Sequence, residues 1–378
     1  MATASESAVQ AWKDKAASFA RRELEPLAAE IDRTDLLPEA VVAALGREGF
    51  LGLGTPARWG GQGGGAREFV AVLEELAAAN PAIAVVLAVH VSVCAAPILA
   101  WGTDAQRETY LPDLAGGRRL GAFALTEPGA GSDAAALRTR YRTVASGYEL
   151  NGSKMFISNA ASAGAIVLFA TRDPALGPAG ISAFVVPPGT PGFSVAQRFD
   201  KLGLRGSETT ELVLDRVKLP PEALLGPEGR GLAIALSALA GGRVGIASCA
   251  LGVARAALEE MRRNVRADDT EWKRQLLGSS YAELLAARAL VEEAARRKDA
   301  DEPFVDQASA AKLLASRAAV AIASRGLDVG GEAATRQGSA AERIFRDARV
   351  FPIVEGTSEI QELLLARGFL KASDGRTV

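Results

Sequence analysis

Residues 124–135, ALTEPGAGSDAA, end an apolar run in a turn made from Thr126, Glu127, Pro128, Gly129, Ala130, Gly131, Ser132 and Asp133. The glycines are spaced G-x-G-x-x-A, the outline of a turn that offers backbone N–H groups to a dinucleotide pyrophosphate. Glu149 lies at about the 20-residue offset where such a unit keeps its ribose-binding acid. That chemistry needs a helix directly after the glycines, inside a βαβ unit. Residues 137–158, LRTRYRTVASGYELNGSKMFIS, instead alternate polar and apolar side chains. They predict a β-hairpin with Asn151-Gly152 at its turn, and no crossover helix fits. The dinucleotide reading fails, and a flexible, hydroxyl-bearing turn remains to be explained.

A second chemistry-bearing stretch is VEGTSEIQ, residues 354–361. Thr357 or Ser358 can cap a helix starting there, and Ser358 with Gln361 has capping-box spacing. Glu355 at a helix entrance is favoured by the helix dipole whether or not it reacts. His90 is the only histidine. It has no nearby serine, aspartate or metal-ligand partner in the sequence and reads as a helix residue. Cys94 and Cys249 sit far apart in alanine-rich apolar runs, which predicts buried free thiols and no metal site.

The elements that must position these residues fall into three textures. The first third, including SAVQAWKDKAASFARRELEPLAAEIDR and REFVAVLEELAAAN, carries apolar residues at helical spacing. From about residue 120 short strands follow: AIVLFATR, ISAFVVP, FSVAQRF and ETTELVLDRVKLP. Helical periodicity returns near residue 227 and lasts to the end. The expected fold is therefore α+β, with helices in 1–119, strands in 120–226 and helices in 227–378. A length of 378 residues exceeds one ordinary core, and 48% hydrophobic with 23% charged residues marks a folded protein. Lys+Arg 43 against Asp+Glu 45, a net charge of -2, gives no footprint for nucleic acid or an anionic membrane. No secretory signal opens the chain, and AIAVVLAVHVSVCAAPILAW (82–101), with His90, Ser92 and Pro97, reads as a buried helix. A cytoplasmic location is expected.

With both flanks in view, FALTEPGAGSDAAALRTRY followed by LNGSKMFISNA resembles the middle-domain flavin signature of the acyl-CoA dehydrogenase family. FDKLGLRGSETTELVLDRVKLP, ALAGGRVGIASCALGVARAALE and FRDARVFPIVEGTSEIQ resemble further blocks of that family, in the same order. The resemblance implies an N-terminal helical domain, a central β-barrel-like domain and a C-terminal helical bundle. It implies FAD, and dehydrogenation α,β to an acyl thioester, on CoA or on a carrier protein. That reaction needs a base for the α-proton and an electron sink for the β-hydride.

By resemblance, Glu355 is the base, with Val354 where the family has tyrosine. Phe123, Leu125, Thr126, Gly131, Ser132, Phe156, Ser158, Thr357 and Glu359 correspond to flavin contacts. Ser132, Arg243 and Gly356 correspond to substrate contacts. Ala240 stands where the family's Asp-x-Gly-Arg element has its acid. The family's Arg-x-x-Phe-Gly, which reaches the FAD pyrophosphate of a neighbouring subunit, is missing from MRRNVRADDTEWKRQLLGSSYAELLAAR. Arg262, Arg263, Arg266 and Arg274 are the available cations, and spacing selects none of them. Leu327 stands where the family has a glutamine before its glycine pair, here Gly330-Gly331. The implied partners are an electron-transfer flavoprotein or similar acceptor and further copies of the chain, as a homodimer or homotetramer. The alternative is a half-site or non-turnover subunit of a hetero-oligomer.

Overall fold

The computed structural model describes residues 5–266 and 270–373. Helix α1 (Glu6–Phe19) and α2 (Ala28–Thr34) belong to one apolar pattern. The pattern is interrupted because Pro26 cannot donate within a helix, so the chain passes through a π turn and a 3-10 turn between them. Next come α3 (Glu39–Arg47), α4 (Ala66–Ala79) and α5 (Pro81–Val89). Asn80 caps α5 by accepting from Ile83 N at 3.2 Å, and Pro81 occupies the first turn, where its missing N–H costs nothing. A π-helical stretch, His90–Ala95, carries α5 into α6 (Ala96–Trp101), and α7 (Asp104–Ala115) closes the segment.

Eight strands form one sheet: β1 (Leu120–Ala124), β2 (Arg140–Val144), β3 (Gly147–Ser158), β4 (Ala163–Thr171), β5 (Ile181–Val186), β6 (Phe193–Arg198), β7 (Thr209–Leu219) and β8 (Leu224–Leu225). Their order is β6-β7-β3-β2-β4-β5-β8, with β1 parallel to β4. Every residue of β4 is buried, which is why AGAIVLFAT reads as a nearly continuous apolar run. Ala165, Val167 and Phe169 pack on one face with Ile98, Leu111 and Ile234. Ile166 and Leu168 pack on the other with Leu150, Phe184 and Leu212. One expectation is corrected here. The β2–β3 hairpin turns at Ala145-Ser146, whereas Asn151-Gly152 lies inside β3, opposite Arg140 and at a register shift. Asn151 Oδ1 accepts from Arg216 N at 2.8 Å, and Gly152 has φ 147° where a Cβ would meet Thr139. The pair that signals a turn in isolation is used for a bulge that lets another strand approach.

The carboxy-terminal helices are α8 (Gly231–Arg263), α9 (Glu271–Asp299), α10 (Val305–Thr335), α11 (Ala340–Ala348) and α12 (Ser358–Ser373). They do not form a separate core from the amino-terminal helices. Phe19, Leu73, Leu76 and Val86 share one cluster with Val244, Leu251, Ala315, Ile322 and Phe351. Gly252 permits this closeness, since a Cβ there would lie 2.5 Å from Glu74 O. Pro81–Trp101 and α8 are long and apolar enough to cross a membrane, yet their most apolar windows are 83% and 72% buried. They are the core helices of this fold.

Candidate active site

Glu355 stands in the turn between α11 and α12, and its backbone is unusual. Glu355 has φ 54° and Gly356 has φ 94°. The left-handed region costs a side-chain-bearing residue roughly 1–2 kcal/mol, so the surroundings must hold it there. Three side chains do so. Lys312 of α10 donates from Nζ to Gly356 O at 2.7 Å. Gln361 donates from Nε2 to the same oxygen at 3.0 Å and to Glu355 O at 3.4 Å. Thr357 Oγ1 accepts from Ile360 N, so Thr357 is the cap of α12. The expected Ser358–Gln361 capping box is replaced by this arrangement, because Gln361 is turned toward the two carbonyls.

The Glu355 carboxylate points at α8. Its Oε2 is buried and has no hydrogen-bond partner among the described residues. Gly242 leaves room for it: a Cβ at that position would lie 2.8 Å from Oε2 and 3.1 Å from Val93 Cγ1. Burial raises the Glu355 carboxyl to about 7, against the opposing pull of the Arg243 and Lys312 charges. Arg243 is itself buried, with Nε unpartnered, and burial holds its pKa below the ordinary value despite Glu355. Burial likewise lowers Lys312 to about 8, with Glu355 acting in the other direction. A carboxyl raised to about 7, with one buried and unpartnered oxygen, can accept a proton from carbon.

The second group of predicted residues lies on the sheet. Leu125 is buried, and Thr126 gives its C=O to Met155 N at 2.9 Å. The Thr126 N–H and hydroxyl have no acceptor among the described residues. Lys154, wholly buried, staples this turn to β3 by donating to Leu125 O (3.1 Å) and to Glu127 Oε1 (2.7 Å). Burial opposes ionisation of Glu127, but Lys154, Thr139 and the Arg138 N–H outweigh it and keep its pKa low. Gly131 and Ser132 are exposed at the tip. Phe156 is 58% exposed at φ 60°, its ring 5.1 Å from that of Phe199. The Phe123 ring packs on Phe169 at 5.0 Å, and the residue is half-buried on β1. Ser158 ends β3 opposite Thr209, and Glu359 is exposed in the first turn of α12.

Glu355, Gly356, Thr357 and Arg243 therefore come together, as do Leu125, Thr126 and the strand bearing Phe156. No hydrogen bond or ion pair joins the two groups among the described residues. The sequence reading missed Lys154, Lys312 and Gly242, and gave Gln361 a capping role in place of its bonds to the Glu355 and Gly356 carbonyls. One of these, Lys312, carried a signal as a lysine on an apolar helix face. Lys312 falls in register with the buried Ala308, Ala315 and Ala319. His90 is buried and accepts from Gly121 N through Nδ1 at 2.9 Å, a structural contact. Arg262 and Arg263 each pair with a glutamate one turn back, Glu259 and Glu260.

A helical domain, a mixed sheet and a second set of helices, with a buried carboxyl at an α8–α12 junction, make up a three-part fold. Family models for the acyl-CoA dehydrogenase N-terminal, middle and C-terminal domains match residues 6–118, 122–217 and 229–370. The chain belongs to the acyl-CoA dehydrogenase family and is an FAD-dependent oxidoreductase. An acyl-CoA dehydrogenase of Bacillus subtilis is 40% identical over 360 residues, covering 93% of this chain and 95% of its own. The butyryl-CoA dehydrogenase structure from Megasphaera elsdenii superimposes with a TM-score of 0.94 at 35% identity, covering 98% of this chain and all of its own. The prolyl acyl carrier protein oxidase AnaB gives 0.93 at 29% identity, covering 97% and 100%.

Proposed function

We propose that this protein dehydrogenates an acyl thioester at the α and β carbons with Glu355 as the base. The observation that carries the assignment is the unpartnered, buried Oε2 opposite Gly242, on a carboxyl raised to about 7. The α-proton moves from carbon to Oε2, and the α,β double bond forms as the β-hydride leaves. Bound FAD supplies the two-electron sink that side chains lack. The residues of the sheet suit such a planar group: the Thr126 N–H and hydroxyl are free to bond a ring edge, and Phe156 offers an exposed ring. Leu125, Gly131, Ser132, Ser158 and the Phe123 backbone complete that side, with Thr357 at the cap of α12 and Glu359 in its first turn. Arg243, Gly356 and Ser132 take the substrate side. Lys312 and Gln361 keep the base in place while it reacts.

The substrate is an acyl-CoA or the same acyl thioester on a carrier protein, and the electrons leave to an electron-transfer flavoprotein or similar acceptor. The protein works in the cytoplasm as a homo-oligomer. The test is anaerobic titration of the purified yellow protein with a panel of acyl-CoAs and acyl carrier proteins, following flavin absorbance. Bleaching by one class of saturated thioester is expected. A colourless protein that FAD does not restore, or a yellow one that no acyl thioester bleaches, would overturn the proposal.

A further inference from the structure

Resting on Glu355 as the base, we infer that Lys312 is a positioning residue that fixes the Glu355–Gly356 turn and sets the pH at which the base becomes competent. Lys312 lies on the buried stripe of α10, where alanines stand one turn before and after it, and none of its side chain is exposed. A lysine is retained there against the cost of burying an ammonium group. Among the described residues its Nζ has one hydrogen-bond partner, the carbonyl of Gly356, the residue that follows the base. Both residues of that turn have positive φ, so a donor on this carbonyl holds a conformation the chain would not keep by itself. Gln361 donates to the same oxygen but carries no charge. Position and charge are thus divided between two side chains: Gln361 contributes only the first, Lys312 both.

The charged groups facing the base come from three elements. Arg243 approaches from α8 and Lys312 from α10, and both favour the ionised carboxylate. Glu359 in the first turn of α12 acts on Lys312 and favours its charge. The π-helical stretch contributes the apolar Val93. Among the described residues, removing the Lys312 charge leaves Arg243 as the cation acting on the carboxyl, so the carboxyl must hold its proton to higher pH.

The experiment compares pH profiles of kcat and kcat/KM, with unfolding curves, for the FAD-loaded parent and the Lys312→Met, Lys312→Arg and Gln361→Leu variants. Lys312→Met should move the acid limb upward by about one unit, at the lower end of the effect of a neighbouring opposite charge. Its plateau kcat should also fall roughly tenfold as the turn loosens, since small misplacements of a reacting group are costly. Lys312→Arg should keep the limb in place, and Gln361→Leu should lower kcat without moving it. A Lys312→Met variant whose limb stays where the parent's is would overturn the inference whatever its rate. If Lys312→Met does not fold, a limb displaced in Lys312→Arg or in Gln361→Leu overturns it. Glu355→Gln is run alongside: if it retains turnover, the base assignment fails, independently of where the Lys312 limb lies.

Discussion

At the scale of single residues, Gly242 and Glu355 depend on each other. The α8 helix carries glycine at 242, where its intrinsic helix propensity is poor, because a methyl group there would sit 2.8 Å from the carboxylate oxygen. Gly242→Ala should therefore fold normally, retain flavin and lose on the order of a hundredfold in kcat, the scale of a 1 Å displacement of a reacting group. Steady-state kinetics with near-ultraviolet circular dichroism would check this, and an alanine variant with parental turnover would show that the carboxylate works elsewhere. The raised pKa also has a stability signature. Glu355 goes from 4.5 unfolded to about 7 folded, so its ionised form is disfavoured by folding. Its contribution is complete below the unfolded pKa and is lost as pH rises through the folded one. Glu355→Gln does not titrate, so its melting temperature should gain on the parent's between about pH 4.5 and 7, then hold a constant lead. A lead independent of pH would mean that burial does not perturb this carboxyl.

At the scale of elements, the turn proposed to face the flavin and β3 are joined by a pair of buried charges. Lys154 and Glu127 have 0% and 6% of their side chains exposed. Breaking such a pair by removing one member costs about 3–5 kcal/mol, because the other is left buried and unpaired. Lys154→Met should show that loss in urea unfolding together with weaker FAD retention, and Lys154→Met with Glu127→Gln should recover much of it. A single variant as stable as the parent would remove the pair from the account. The succession of helices and strands along the chain was largely legible, because β4 and α4 carry plain apolar patterns, whereas the order of strands in the sheet was not read from the sequence. What escaped were residues whose role depends on partners distant in sequence. Asn151-Gly152 looks like a turn until Arg216 and Thr139 are seen to occupy its surroundings. Lys312 and Gly242 are legible only as oddities, a charge on an apolar stripe and a glycine inside a helix. The proposed base came from the resemblance of VEGTSEIQ, since a lone glutamate at a helix start has no distinguishing pattern.

For the whole molecule, the amino- and carboxy-terminal helices share a core, so they fold as one body with the sheet packed against it. The outer surface of that body is less closed. Tyr281 and Leu285 on α9, Leu314 on α10, and Leu363, Phe369 and Leu370 on α12 are 41% to 75% exposed. Apolar side chains of that size on three long helices are what an oligomer interface covers. The protein should therefore sediment well above the 39.2 kDa of one chain, and Leu363→Glu with Leu370→Glu should reduce that mass. A monomer at micromolar concentration would contradict the expectation.

The central claim is that the Glu355 carboxylate takes the α-proton, and the reductive half-reaction tests it most directly. FAD-loaded parent and Glu355→Gln are mixed anaerobically with the thioester that bleaches the parent, and loss of flavin absorbance is followed by stopped flow. Gln keeps the shape of the side chain and cannot accept the proton. The account predicts that the variant keeps its oxidised flavin spectrum and reduces about 10²–10⁴ times more slowly, the usual contribution of a positioned base. Reduction of Glu355→Gln at the parental rate would contradict it.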